Sequence, residues 1–247
     1  MSAQRDFAAE AADHPERRYA YDFDSVLRRY MMRTFAPMIP AGQGLELGCY
    51  EGDFTAHLVP VFPDLTVVEA AESLIEKTRT KFPPTLRFVH GTLEGVELPE
   101  NTYDAVFLTH VLEHIDDPAL VLSRIGRWLS PRGRLFVAVP NANAASRQIA
   151  VRMGLIPFNA AVTQGEFAQG HRRTYSLDTL ENDARSGGLR IARRGGIFFK
   201  PLANFQFDRL MKTDILSAEY LEGCFLLGEQ YPDLCASIYL ICEKGAS

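Results

Sequence analysis

Leu45-Glu46-Leu47-Gly48-Cys49-Tyr50-Glu51-Gly52-Asp53-Phe54 sets an acid inside a short apolar run and two glycines at the turn that follows. Gly48 ends the run and Gly52 opens a helical pattern of Phe54, Leu58 and Val61, so the stretch reads as strand, turn and helix start. Glycines at such a turn let the backbone approach a ligand where a Cβ would collide. A phosphate loop needs Gly-Lys-Ser/Thr at the helix start, and a dinucleotide fingerprint needs G-x-G-x-x-G; neither is present. Glu46 inside the strand also points away from a bare phosphate. A second acid, Glu69, ends the β-branched run Leu65–Glu69, where it can accept two hydrogen bonds from a ribose diol; a solvated strand end is the plainer alternative. The third group is His110-Val111-Leu112-Glu113-His114, which matches the H-x-x-E-H pattern of one zinc peptidase class. That chemistry wants both histidines well inside a helix and a further ligand elsewhere. Here the pattern follows directly on an apolar strand and Asp117-Pro118 opens a new helix, so no metal is expected.

The elements that must position these groups alternate along the chain. Strands are expected at Leu45–Leu47, Leu65–Glu69, Leu86–His90, Tyr103–Leu108 and Arg134–Val139, with helical patterns over Glu72–Lys81 and Pro118–Ser130 and a turn at Leu129–Gly133. Such alternation argues an α/β doubly wound, mostly parallel sheet. Ahead of it, Asp24 or Ser25 can cap a helix with apolar positions Val26/Leu27, Tyr30/Met31 and Phe35, stopped by Pro37 and Pro40. Ala142 to Thr174 breaks the rhythm and is longer than an ordinary connection. Ser176 then caps a helix to Arg185, Gly187-Gly188 ends it, and Leu189–Ala192 and Gly195–Lys200 form an irregular strand. Helices over Phe205–Met211 and Leu216–Leu227 precede a last strand, Ala236–Cys242.

Composition narrows the classes. The 247 residues suffice for one sizeable α/β domain, 47% of them are hydrophobic, and the net charge is -5. An acidic chain is a poor partner for a nucleic-acid backbone. Cys49, Cys224, Cys235 and Cys242 show no C-x-x-C spacing and read as buried thiols. No apolar run approaches membrane-spanning length, and Met1 to Glu16 lacks a signal-peptide core, so a cytoplasmic protein without membrane contact is expected.

The loop after the first strand resembles motif I of the class I S-adenosylmethionine (SAM)-dependent methyltransferases, in which an acid and a glycine loop hold the methionine end of the cofactor. The resemblance extends over Leu45 to Asn141, through "HVLEHIDDP" and the Leu129-Ser130-Pro131-Arg132-Gly133 turn before the fifth strand. Tyr50 stands where the family usually has its middle glycine. The resemblance implies a Rossmann-like methyltransferase fold with seven strands, the last antiparallel. It implies a cofactor site of Glu46, Gly48, Cys49, Tyr50, Gly52, Glu69, Ala70, Thr92, Leu93 and His110, with SAM bound and S-adenosylhomocysteine released. Thr92 occupies a position where the family commonly has an acid for the adenine amino group, and Glu94 can take over that part. Glu113 and His114 are structural on this reading. Residues 1–40 become an N-terminal helical lid segment, in which Tyr19, Tyr21 and Phe23 line the site or pack its entry, and 41–247 the methyltransferase domain. Within it, 142–175 forms an acceptor cap.

Methyl transfer from a sulfonium needs chiefly alignment, and an alcohol acceptor also needs a base. His171, in the cap, is the candidate base because imidazole titrates near neutral pH, with Tyr175 and His110 in reserve. From Ala144 to Lys200 the basic residues Arg147, Arg152, Arg172, Arg173, Arg185, Arg190, Arg193, Arg194 and Lys200 outnumber Glu166, Asp178, Glu181 and Asp183. The plainer reading is a solvated face. The sharper one gives Arg172 and Arg173 an anionic group on the acceptor, with Tyr21 and Asn141 as further acceptor contacts. The expected activity is O-methylation of a sugar or phenol-like small molecule by a monomer or homodimer. N-methylation, a nicotinamide-binding oxidoreductase and a silent SAM-binding protein are the alternatives.

Overall fold

Apolar runs without alternation become strands covered on both faces, and this sequence has them through its middle. In the computed structural model, which describes residues 5–12 and 20–245, seven strands form one sheet. They are β1 (Gly44–Leu47), β2 (Thr66–Glu69), β3 (Arg87–His90), β4 (Tyr103–Thr109), β5 (Leu129–Pro140), β6 (Leu189–Phe199) and β7 (Cys235–Lys244). Their order is β3-β2-β1-β4-β5-β7-β6. The first five pair in parallel, and β7 runs antiparallel between β5 and β6. The expected turn at Leu129–Gly133 is instead drawn into the start of β5: Tyr103 pairs with Leu129 and Ala105 with Arg134, so the intervening residues form an irregularity in the ladder.

Helices α1 (Phe7–Glu10) and α2 (Asp22–Phe35) precede β1, and α3 (Thr55–Leu58), α4 (Glu72–Arg79) and α5 (Pro118–Trp128) lie among the first five strands. In the cap come α6 (Ala145–Arg152) and α7 (Gln164–Ala168), followed by α8 (Leu177–Ser186), α9 (Asn204–Leu210) and α10 (Ala218–Gln230). Ser176 caps α8 as expected, accepting from the Thr179 N–H, and Asp117 caps α5. The helix after the glycine loop is one turn long, and Val61, expected on its buried face, is exposed.

Each face of the sheet carries its own core. One is built from β4 and β5 residues with Val121, Ile125 and Trp128 of α5 and Leu180 of α8. The other holds Phe107 stacked on Phe136 at 5.0 Å, with α2 and α10 laid over it. α2 begins two residues earlier than its expected cap, because the Asp24 carboxylate accepts from the Tyr21 N–H and secures the first turn. Its buried residues, Phe23, Leu27, Tyr30, Met31 and Phe35, fall on one face at helical spacing. Phe23 is therefore core and not a lid residue. Its ring stacks on Phe207 at 4.1 Å and meets Phe198 edge-on at 5.2 Å. Asp208 of α9 accepts from the Phe23 N–H at 2.8 Å, so the same residue anchors α2 by ring and by backbone. Phe23→Ala empties a fully buried site and is expected to lower stability by about 3–5 kcal/mol, read from urea unfolding.

Candidate functional site

β1 and β4 are neighbours, yet the chain leaves β1 toward β2 and β3 on one side and returns to β4 before β5 on the other. Loops diverge at such a reversal and open a crevice at the carboxyl ends of the strands. A cavity of about 550 Å³ lies there, within the size range of small-molecule sites. Its walls come from the ends of β1, β2 and β4, from α2, from the cap and from residues 5–11.

The glycine loop is shaped by three left-handed residues, Gly48 (φ 76°), Tyr50 (φ 50°) and Gly52 (φ 88°). A Cβ on Gly48 would come within 2.6 Å of Val111, and one on Gly52 within 2.5 Å of Phe82. Both glycines thus serve turn geometry and protein packing. Gly52 does not line the cavity, which corrects its expected contact with the cofactor. Tyr50 takes up a conformation that L residues rarely adopt, and this accounts for a glycine being usual at its place. Cys49, Tyr50 and Ala70 do line the cavity.

Glu69 holds this loop. One carboxylate oxygen accepts from the Cys49 and Tyr50 N–H groups at 3.0 and 3.2 Å, the other from Ala70 and Ala71 at 2.8 and 3.0 Å. An ionised carboxylate offers about four acceptor positions, so backbone donors already occupy them.

Glu46 is 1% exposed. One oxygen accepts from the Thr55 hydroxyl at 2.7 Å, while the other, Oε1, is buried with no partner among the described residues. Burial pushes its pKa up from 4.5 to about 8, against the lowering effect of the Thr55 bond. A buried acid with an unused acceptor in a cavity wall suits a ligand that carries positive charge or an N–H donor. Arg28 on α2 also lines the cavity and acts electrostatically on both Glu46 and His110. Sequence reasoning missed Arg28, since one basic residue on the polar side of a helix carries no signal until that helix is known to flank a cavity. Thr92, Leu93 and Glu94, in the loop after β3, line the same space as the expected adenine contacts.

Glu113, His114 and His171 line the cavity as a group, with the two imidazole rings edge-to-face at 4.6 Å. Glu113 is buried, its Oε2 has no partner among the described residues, and burial raises its pKa to about 8. Burial, followed by His171 and Arg5, holds His114 far below the usual imidazole range. Arg5, Phe7, Glu10 and Ala11 line the cavity with them. Arg5 pairs with Glu10 at 2.7 Å and donates to the His114 carbonyl, also at 2.7 Å. Tyr21 lines the cavity; Tyr19 lies outside the described residues.

Several expected roles change. His110 lines the cavity and shares a hydrogen bond with Ser237 Oγ at 2.9 Å, but burial drops its pKa to about 3, too weak a base for a reserve role. Tyr175 is 1% exposed, donates to Asp183 at 2.9 Å and lies away from the cavity, so it is a core residue and not a base. Arg172 pairs with Glu10 and Asp116, and Arg173 donates to the Ile115 and Asp116 carbonyls. Neither lines the cavity; both brace the cap. Asn141 faces the cavity but spends its amide on the Asp233 and Cys235 carbonyls and the Asn143 N–H. It shapes the wall.

The model of a methyltransferase domain family matches residues 17–193. An uncharacterized methyltransferase of Mycobacterium tuberculosis is 33% identical over 103 residues, 40% of this chain and 52% of that protein. The chain thus spans about half the length of that relative. A ubiquinone biosynthesis O-methyltransferase of Hydrogenovibrio crunogenus is 27% identical over 186 residues, 72% of each. Among solved structures, a SAM-dependent methyltransferase from Mesorhizobium loti superposes with a TM-score of 0.61 at 14% identity, covering 89% of this chain and 99% of that one. Among the described residues, no helix is long and apolar enough to cross a membrane.

The two raised acids set a pH dependence. Each holds its proton in the folded state up to about pH 8 but loses it near 4.5 when unfolded, so the native state binds more protons between those values. Stability from these groups is complete below about pH 4.5 and is lost as pH rises through 8. The lowered imidazoles of His57, His110 and His114 act oppositely, but only below their ordinary 6.5. Between pH 6.5 and 8 the ligand-free protein should therefore melt at progressively lower temperature, and Glu46→Gln with Glu113→Gln should flatten that slope in a thermal scan.

Proposed function

Because this chain belongs to the methyltransferase domain family, we propose that it transfers a methyl group from SAM to the hydroxyl of a small molecule. The observation that carries the reading is the buried, unpartnered Glu46 Oε1 in the wall of the cavity at the sheet's reversal point. SAM brings an amino-acid tail with an ammonium and a carboxylate, and a sulfonium that makes its methyl electrophilic. Glu46 supplies the negative partner for the ammonium, and Arg28 the positive partner for the carboxylate. Gly48, Cys49 and Tyr50 form the floor beneath the tail. Glu69 is the ribose-facing acid; since its acceptor positions are taken, ribose binding exchanges backbone bonds and does not simply add to them. Ala70 flanks the sugar, and Thr92, Leu93 and Glu94 receive the adenine.

The acceptor enters the end bounded by Tyr21, His110, Asn141 and His171. What these residues contribute is alignment and exclusion of water, the main demand of an in-line displacement. His171 is the side chain that can take the hydroxyl proton, because His110 is too weakly basic and Tyr175 too deeply packed. A phenol-like acceptor is favoured over a sugar: the matched relatives include ubiquinone biosynthesis O-methyltransferases, and aromatic and apolar side chains line much of the cavity.

Glu46 gives a direct measurement. Protonated near pH 7 in the empty site, it ionises opposite an ammonium, so SAM binding should release a proton. Calorimetry at pH 7 in buffers of different ionisation enthalpy should show this release. In Glu46→Gln the release should vanish and affinity should drop about tenfold or more, the loss expected for a charged hydrogen bond of about 1.5–3 kcal/mol. Absence of SAM binding to the intact protein would refute the proposal. Mass analysis of phenol and sugar panels then identifies the acceptor by a protein-dependent methyl gain, and a gain confined to amines would overturn the hydroxyl assignment.

A further inference from the structure

The H-x-x-E-H pattern is taken apart by the fold, and what replaces it has a different chemistry. His110 and His114 do not sit one turn apart on a helix. His110 ends β4 with a left-handed backbone (φ 55°) and turns to Ser237, while Leu112–His114 forms a single 3₁₀ turn. The cap then brings in the distant His171. Its backbone is fixed by a hydrogen bond from its N–H to the Glu166 carbonyl at 3.0 Å, and the Glu113 carbonyl accepts from Arg172 N at 2.8 Å. Gly170 (φ 85°) makes the approach possible, since a Cβ there would run into the Glu10 carboxylate and lie 3.2 Å from His114 Nδ1.

We propose that Glu113, His114 and His171 form a binding site for a divalent transition-metal ion at the acceptor end of the cavity. One ligand atom from each residue lies within 4.8 Å of the other two. One carboxylate and two imidazoles make the donor set of His₂Glu zinc sites and of the two-histidine, one-carboxylate iron sites, both of which leave positions open for water or substrate. Glu113 supplies the independent sign of a missing partner: it is 2% exposed, and its Oε2 is buried without a hydrogen bond. Leaving such an atom unsatisfied is unfavourable, and a cation satisfies it.

The neighbouring cations do not forbid this. Arg5 and Arg172 are both paired with Glu10 and Asp116, at 2.7 to 3.6 Å, so the surroundings of the three ligands are close to neutral before Glu113 is counted.

What the ion does there rests on the methyl-transfer reading above. An acceptor hydroxyl in an open position of the ion gives up its proton to solvent more readily. Its oxygen lone pair then forms the bond to the methyl carbon, the carbon–sulfur bond breaks, and that electron pair stays on sulfur. His171 on this account acts as a ligand and not as the base.

The test is equilibrium dialysis of the purified, chelator-treated full chain against Zn²⁺, with elemental analysis, and SAM calorimetry on the same samples as a check of folding. Wild type should retain one equivalent. Glu113→Gln and His171→Asn should each weaken retention by at least about 100-fold, the upper end of what losing a mere supporting partner does. His110→Asn should retain the ion, which separates this site from the linear motif. Samples that bind SAM but hold no zinc, or a Glu113→Gln/His171→Asn double variant that still holds one equivalent, would overturn the site and leave the methyl-transfer reading standing. Failure of SAM binding with zinc retained would do the reverse.

Discussion

One carboxylate fixes the working end of this sheet. Glu69 ends β2, and its two oxygens gather backbone N–H groups from both sides, Cys49 and Tyr50 on the loop after β1 and Ala70 and Ala71 on its own. The loop's left-handed residues leave those N–H groups pointing inward with no regular partner, and the carboxylate takes them up. Hydrogen bonds to a charged acceptor are about twice as strong as neutral ones, so a single side chain sets the path of two crossover loops. The placement of Tyr50 in a strained conformation depends on it as well, because strain of that kind persists only where the surroundings over-determine the backbone.

The same crevice is kept in electrical suspense by the acid one strand over. Glu46 and Glu113 both line the cavity, both are buried, both have one oxygen unpartnered among the described residues, and both hold a proton to about pH 8. In the empty protein both acids are neutral near pH 7. Each becomes charged only when something cationic arrives to face it, and the binding energy of that partner is then reduced by the free energy of ionising the acid. Selectivity for cationic partners follows: a neutral isostere leaves the acid protonated and gains little.

The loop at Gly48, the acids Glu46 and Glu69 and the alternation of strands and helices were legible because all are local. They follow from spacing within a few residues and from a turn that only certain residues make. The doubly wound order and the antiparallel last strand emerged as the motif resemblance implied. What was not legible depended on partners far along the chain. Arg172 and Arg173 read as free cations until Glu10, Asp116 and the carbonyls of 115 and 116 are seen beside them. Tyr175 read as a reserve base because nothing local reveals Asp183 or the core around it. His171 meets His114 only through the fold of the cap, and Arg28 gains meaning only once α2 is laid along the crevice.

The interior position of β7 has a consequence for how the molecule comes into being. β6 is synthesised before β7, yet β7 is its sheet neighbour and separates it from β5. Until β7 arrives, the β6 segment has no native edge to join and would offer its own to any passing chain. Arg190, Arg193 and Arg194 crowd that segment and stay exposed after it docks. Once the strand has docked, Arg190 pairs with Glu243 of β7 and Arg194 with Glu181 of α8, so charge that would keep an unpaired edge from meeting its own copy is taken up by acids in the finished sheet.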